Sequence, residues 1–551
     1  MSDDTTDTVV VDGSSLTPGN VTAVARTDAT VAIAESAREA VRESRERVES
    51  VLDSGDAVYG VNTGFGDLVD ERIPAEDLEE LQINLLRSHA AGVGRNLTRE
   101  EVRAMMVARA NTLVKGYSGI RESVVDLLVA MLNEGVHPVV PSRGSLGASG
   151  DLAPLAHMSL VLIGEGTADV DGDRLPGDEA LDAVGLEPVT LRAKEGLALI
   201  NGTQLTVGIA ALVLSDAERL VSVADIAGSL STEVTLSSTV PSHEAITAVR
   251  PHDGQATSAR NVRRLTSDSD VVESHRNCDR VQDAYSFRCL PQVHGAVRDA
   301  VSHLREAVEI ELNSATDNPL VFAREDDRSE SPDQANGNER SERHASHERV
   351  DDRASGSDRA GVLSGGNFHG APLALRLDYL TNALTELAAI SERRTDRMLN
   401  PNLQEPHLPP FLTAESGVRS GYMIAQYTAT ALVNECRSLG RPSMDNTPVS
   451  GNQEDHVSMS AQSAFFARTV VKNISTVLGV ELCCGTQAAD FVDDDLELGV
   501  GSAAAYDAVR AVVPALTDDR PLHEDITAAS ALVESPAFPD RVAAALDAEL
   551  E

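Results

Sequence analysis

The stretch Gly144-Ser145-Leu146-Gly147-Ala148-Ser149-Gly150-Asp151-Leu152-Ala153-Pro154-Leu155-Ala156-His157 passes abruptly from small residues to an apolar run. Asp151 stands where an N-cap belongs, with a helix expected to about Leu162. Three readings suit it. It can be a tight loop and its cap, with no further role. It can cradle a phosphate, since free backbone N–H groups at a helix start attract anions, although neither GxGxxG nor GxxxxGK(S/T) is present. Or Ala148-Ser149-Gly150 can close on itself. The Gly150 nitrogen attacks the Ala148 carbonyl, and loss of two waters leaves Ser149 as a dehydroalanine within a methylidene-imidazolone, an electrophile made from the chain alone. Glycine at the third position permits the compressed approach, and the following helix dipole favours negative charge on the ring. Ala354-Ser355-Gly356 repeats the tripeptide in a polar segment too floppy to hold nitrogen against carbonyl, so no ring is expected there.

Context separates these readings. The loop, together with Tyr59-Gly60-Val61-Asn62-Thr63-Gly64-Phe65-Gly66 and five further blocks, resembles the aromatic amino acid ammonia-lyases, which act on histidine, phenylalanine and tyrosine. The resemblance covers nearly the whole chain outside residues 323–361. It implies that Ala148, Ser149 and Gly150 form the methylidene-imidazolone autocatalytically, with no dissociable cofactor and no metal. The family's reaction removes ammonia from the α-carbon and a proton from the β-carbon, leaving an α,β-unsaturated acid. That β-proton is barely acidic, so a positioned base is needed. By the resemblance the base is Tyr59, whose ordinary pKa of about 10 has to be lowered by the ring and positive neighbours.

Two blocks bear on the substrate. In Leu81-Gln82-Ile83-Asn84-Leu85-Leu86-Arg87-Ser88-His89, His89 matches the family's imidazole-recognising His, where phenylalanine enzymes carry Phe-Leu at positions 88 and 89. In Gly451-Asn452-Gln453-Glu454-Asp455-His456-Val457-Ser458-Met459, Glu454 matches the carboxylate that meets the substrate imidazole. A carboxylate accepts an imidazole N–H, a contact that a phenyl ring cannot make. The resemblance therefore implies L-histidine as substrate, with trans-urocanate and ammonium as products, the first step of histidine degradation. The alternative within the family is a phenylalanine or tyrosine ammonia-lyase or aminomutase. Outside it, an inactive helical scaffold would leave the loop unexplained, and a fumarase-like lyase would need a Gly-Ser-Ser loop and catalytic Lys that are not found.

The remaining polar groups follow the same resemblance. Val281-Gln282-Asp283-Ala284-Tyr285-Ser286-Phe287-Arg288-Cys289 carries Arg288, suited to a bidentate clamp on the α-carboxylate, with Gln282 and Tyr285 around carboxylate and ring. The family usually has Pro at position 284 and Gln at position 290, where this chain has Ala284 and Leu290. Tyr285 and Arg288 stand three residues apart, so one helical turn could point both inward. Asn201 matches the family Asn that hydrogen-bonds ring and substrate, and Phe368 matches a pocket wall.

The elements that must position these groups are mostly helices. Val293, Val297, Val301, Leu304, Val308 and Leu312 form one stripe at three- and four-residue steps, and Leu373, Leu377, Leu380, Leu384 and Leu387 form another. Further long helices are expected over about 203–223, 422–439 and 457–480, with short strands only near 57–61 and 187–191. The fold class is mainly α, a long-helix bundle of the ammonia-lyase type with a smaller N-terminal region carrying the prosthetic-group loop. The organisation expected is a flexible tail (1–12), an N-terminal region with Tyr59 and the loop (13–200) and a helical bundle (201–551). Within the last, 323–361 is polar and acidic and cannot repay its ordering entropy by burial, so a disordered insertion is expected. His344 and His347 in it have metal-pair spacing but no nearby ligands, and carry no assigned role.

Composition sets the surroundings. The 551 residues hold 46 Lys plus Arg against 87 Asp plus Glu, a formal charge of −41, which repels phosphate backbones and anionic lipids and argues against nucleic-acid or membrane binding. Only Lys115, Lys194 and Lys472 are lysines, and such a Lys-poor, acidic surface suits a halophile's cytoplasm, where screening removes self-repulsion. The five cysteines form no CxxC pair, and neither a signal peptide nor an apolar run of membrane-spanning length is present. A cytoplasmic protein is expected. By resemblance the assembly is a homotetramer with sites shared between subunits.

Overall fold

The computed structural model describes residues 8–54, 58, 60–63, 73–276, 280–323, 361–444 and 447–550. Tyr59, the tripeptide 354–356 and, apart from Ala323 and Gly361, the acidic segment lie outside the described residues.

The stripes read from sequence fall on helices. Leu290–Leu312 carries the first and Ala371–Leu399 the second. All five leucines of the second stripe are fully buried. Each such burial is worth about 1.5–3 kcal/mol, so packing of one face outweighs the cost of ordering a long helix. The other long helices outrun their sequence expectations at the C-terminal end: Gln204–Val234 and Ser460–Ala489 run on for about ten residues more, while Met423–Ser438 is close to its expected bounds. The extension of Gln204–Val234 is rich in Ser, Thr, Asp and Glu, which blurs a stripe. Two of its buried polar groups are nevertheless paired, Ser231 with Glu481 at 2.8 Å and Asp225 with His294 at 2.8 Å, while Ser229 Oγ has no partner among the described residues.

Strands are short and peripheral to the helices in number. Thr8–Val11 pairs in parallel with Thr30–Ile33, in register Thr8 with Thr30, joined through the helix Pro18–Arg26. This strand lies inside the stretch expected to be a tail; alternate residues Val9 and Val11 are buried, which anchors it. Val93–Asn96 pairs antiparallel with Pro141–Arg143, and Thr167–Val170 lies between His137–Pro138 and Asp173–Pro176. Neither of the two strands expected from sequence is seen among the described residues. Among the described residues of 57–61, Gly60 and Val61 are in a turn, and 187–191 carries no regular secondary structure. Val58, Val61 and Leu191 are instead core residues, so their apolar character reports burial and not pairing.

The chain divides into two compact units. Met1–Leu212, Val308–Ala374 and Ser443–Gln462 make the first; Val213–Ala307, Leu375–Pro442 and Ser463–Glu551 make the second. Among the described residues no helix is long and apolar enough to cross a membrane.

Candidate active site

The first unit holds a cavity of about 690 Å³ lined by His89, Ala148, Ser149, Asn201, Phe368 and Glu454, together with Leu85, Leu152, Leu197, Asn318, His369 and His456. Its size suits a small organic molecule. Six of the residues singled out from sequence therefore meet on one wall-to-wall surface, although they come from five separate stretches of chain.

The loop before the helix Leu152–Leu162 is held from three sides. The Met459 N–H donates to the Leu146 carbonyl at 2.7 Å, while the Ser458 hydroxyl (2.8 Å) and the Gly370 N–H (3.1 Å) both donate to the Gly147 carbonyl. Gly150 has φ +79°, and its backbone lies flush with Gly202: a Cβ on Gly150 would sit 2.3 Å from the Gly202 carbonyl oxygen. Only glycine fits there. The Asp151 N–H donates to that same oxygen at 2.6 Å.

Asp151 occupies the N-cap position without capping the helix through its side chain. Its carboxylate turns inward and accepts from Ser145 Oγ at 2.7 Å, from the Thr206 N–H at 2.8 Å and from Thr206 Oγ1 at 3.1 Å. It is fully buried, and burial raises its pKa. A carboxylate so placed beside the helix start weakens the phosphate-cradle reading, since a second anion would be repelled there.

Ser149 faces the cavity. Its hydroxyl donates to Glu454 Oε1 at 3.0 Å, and its carbonyl accepts from Asn201 Nδ2 at 2.8 Å. Asn201 is buried directly after the helix Glu195–Ile200, and its Oδ1 has no partner among the described residues. His89 ends the helix Leu78–His89, and its Nδ1 lies 2.9 Å from the Leu85 carbonyl. A carbonyl can only accept, so the proton of the neutral ring is on Nδ1, and Nε2 is left as an acceptor. Burial lowers the His89 pKa, which favours that neutral form. Glu454 sits at the end of a tight loop closed by the Val449 N–H on its carbonyl at 3.0 Å, with Ser450, Gly451 and Asn452 all at positive φ. Non-glycine residues held there store backbone strain, as functional loops often do.

These groups fit the ring read from sequence. A donor meets the Ser149 carbonyl, the third residue is forced to be glycine, and the serine side chain opens on the cavity. Tyr59 is outside the described residues, but its neighbour Gly60 packs against Leu197 and Pro319, with 2.8 and 2.7 Å separating their side chains from where a Cβ would be. Among the described residues no cluster able to hold a metal ion is found.

Gln282, Tyr285 and Arg288 belong to the second unit and are not in this cavity. Tyr285 and Arg288 share the single helical turn Tyr285–Arg288 as the spacing suggested, but Tyr285 is 72% exposed and does not point inward. The Arg288 guanidinium lies 5.9 Å from the Tyr285 ring centroid and donates to Gln282 Oε1. Both line a groove with Val240, Pro241 and Ile246. A four-residue helix has too little of its own face to bury, so spacing alone could not orient it.

Sequence reasoning missed one pair at the cavity and another behind it. His369 and His456 stack with centroids 5.8 Å apart and planes 11° from parallel, and no local pattern signals a pair 87 residues apart. Arg109 and Gln204, packed behind Asn201, are invisible in sequence because an Arg within an apolar helix reads as surface charge.

A family model for aromatic amino acid lyases matches residues 16–511. A probable histidine ammonia-lyase of Halobacterium salinarum is 63% identical over 99% of this chain and 100% of its own length, and a histidine ammonia-lyase of Gloeobacter violaceus is 48% identical over 95% of each. Among solved structures, tyrosine aminomutase from Streptomyces globisporus superposes with a TM-score of 0.87 at 37% identity, covering 98% of this chain and 100% of that one. Histidine ammonia-lyase from Trypanosoma cruzi gives 0.84 at 37% identity, covering 98% and 95%.

Proposed function

The chain belongs to the aromatic amino acid lyase family, and from that premise we propose that it deaminates L-histidine non-oxidatively to trans-urocanate and ammonium, acting as a carbon–nitrogen lyase. The observation that carries the choice of histidine is the meeting of Glu454 and His89 on the cavity that Ser149 faces. Both are acceptors toward an imidazole N–H, and a phenyl ring would leave them unpaired at a cost of about 1–3 kcal/mol each.

Ala148, Ser149 and Gly150 hold the place of a methylidene-imidazolone, which supplies an electrophilic methylidene carbon when formed. Asn201 donates to the carbonyl of the central residue. Leu197 and Phe368 contribute apolar lining to the cavity. Tyr59 is assigned the β-proton, and Arg288 with Gln282 and Tyr285 the α-carboxylate and ring surroundings. A homotetramer would allow another copy of the chain to supply those three residues. The charge of −41 supports a working environment of concentrated salt, in the cytoplasm.

The test is intact mass with a histidine assay. The purified chain should weigh two waters less than its sequence, with the loss mapped to 148–150, and should convert histidine to urocanate; Ser149→Ala should abolish both. Full-weight but active enzyme would overturn the ring, and preferential turnover of phenylalanine or tyrosine would overturn the substrate.

A further inference from the structure

Arg109 is fully buried in the helix Arg99–Val114. Its Nη1 donates to the Asn201 backbone carbonyl at 3.0 Å and to Gln204 Oε1 at 2.7 Å, and its Nη2 donates to the Ala198 carbonyl. No carboxylate lies within ion-pair distance of it among the described residues. Burial draws its pKa down to about 10, so it stays charged at neutral pH. Asp317 favours its charge from beyond ion-pair distance, but its hydrogen-bond acceptors are all neutral, and a guanidinium so buried is expensive where a methionine or leucine would fill the same space more cheaply. Its three acceptors all lie between residues 198 and 204, so what it holds is the turn that follows the helix Glu195–Ile200.

That turn is what touches the loop. Asn201 Nδ2 reaches the Ser149 carbonyl at 2.8 Å, and the Gly202 carbonyl receives the Asp151 N–H at 2.6 Å. Gly202 presses so closely on Gly150 that its N, C and O would all lie within 2.6 Å of a Cβ there. On the opposite side a Cβ on Gly202 would stand 2.6 Å from Arg109 Nη1 and 2.4 Å from Gln204 Oε1. Arg109, the turn 201–202 and the loop 149–151 thus form three layers with no slack between them. Gln204 completes the back layer, donating from Nε2 to Thr316 Oγ1 at 2.7 Å and Thr112 Oγ1 at 3.0 Å.

We propose that Arg109 is a positioning residue for ring closure at Ala148-Ser149-Gly150, backing the Asn201-Gly202 turn so that the loop cannot relax away from the closing geometry. This rests on the reading of that tripeptide as the ring. In closure the Gly150 nitrogen bonds to the Ala148 carbonyl carbon and its proton passes to the carbonyl oxygen. That oxygen leaves as water with the Ser149 amide proton, forming a C=N bond. The Ser149 hydroxyl then leaves with the α-proton as the second water, forming the Cα=Cβ bond. The first step depends on holding an amide nitrogen, a weak nucleophile, against a carbonyl carbon, and a misplacement of about 1 Å in such an arrangement costs about a hundredfold in rate.

The experiment is intact-mass spectrometry of folded protein, isolated by size exclusion at intervals after expression, for the unaltered enzyme, Arg109→Met and Arg109→Lys. Arg109→Met should close the ring about ten- to a hundredfold more slowly and leave much full-weight chain in the folded fraction. Arg109→Lys, which keeps the charge with fewer directed donors, should fall between. A role in folding alone would lower yield and melting temperature while every folded molecule still lost two waters, and that result would overturn the proposal. If Arg109→Met yields no folded protein, Gln204→Met decides: partial closure supports the proposal and complete closure at the normal rate overturns it. Full-weight unaltered enzyme would instead refute the ring itself, a distinct outcome.

Discussion

The Ser149 hydroxyl donates to the Glu454 carboxylate at 3.0 Å across 305 residues of sequence. Glu454 therefore stands at hydrogen-bond distance from the residue expected to become the electrophile, at the place where a substrate's polar end would lie. Its loop is closed by the Val449 N–H despite the backbone strain at Ser450 and Asn452, without an arginine to neutralise Glu454 within ion-pair distance among the described residues.

Glu454→Gln should lower histidine turnover about ten- to a hundredfold, since an amide exchanges an acceptor oxygen for a donor. The loss of two waters should be unchanged, because the amide oxygen still accepts from Ser149. Adding His89→Leu should reduce activity on histidine far more than any activity on phenylalanine. Steady-state kinetics with both substrates measure this, and survival of histidine turnover in the double variant would mean that neither residue selects.

Gly150→Ala should yield chain that keeps its full mass. The new methyl would lie 2.3 Å from the Gly202 carbonyl oxygen at φ +79°, and either strain or retreat of the loop follows. Roughly 1–3 kcal/mol of destabilisation should appear in denaturant melts. Complete ring formation in this variant would show that the loop has more room than the structure gives it.

His137 provides a pH test away from the cavity. Its Nε2 lies 3.1 Å from Arg103 Nη1, which can only donate, and burial, reinforced by Arg99 and Arg103, pushes its pKa down to about 4. Between about pH 6.5 and 4 the unfolded chain takes up a proton at this residue that the folded chain refuses, so its contribution to stability is lost as pH falls through that window. The stability of the unaltered protein relative to His137→Gln, which cannot titrate, should therefore fall as pH drops from 7 toward 4.5. A gap constant in equilibrium melts across that range would contradict the shift.

Salt should matter because of charge alone. With −41 per chain, self-repulsion at low ionic strength favours unfolding and dissociation. At 1 M salt the Debye length falls to about 3 Å and exposed carboxylates cease to sense one another. Thermal stability and histidine turnover should both rise from dilute buffer to multimolar KCl, and equal values at both ends would give the acidic composition another cause.

Much was legible locally. Leu373 to Leu387 announced a helix because burial of one face imposes a 3.6-residue period on the chain itself, and Ala148-Ser149-Gly150 offered ring closure as one of three readings because that chemistry involves only neighbouring atoms. Resemblance added His89, Asn201, Phe368 and Glu454, and these do gather on one cavity with Ser149. Tertiary structure alone decided the rest, because burial and partner choice depend on what distant segments bring. Asp151 looked like a helix cap until Thr206 and Ser145 drew its carboxylate inward. Tyr285 and Arg288 have the spacing of an inward pair, yet their short turn faces a groove in the second unit. Arg109 carries no sequence signal: its place behind Asn201 and Gly202 exists only because the helix Arg99–Val114 is buried nearly all round, where a charge must find acceptors and thereby fixes the turn that supplies them.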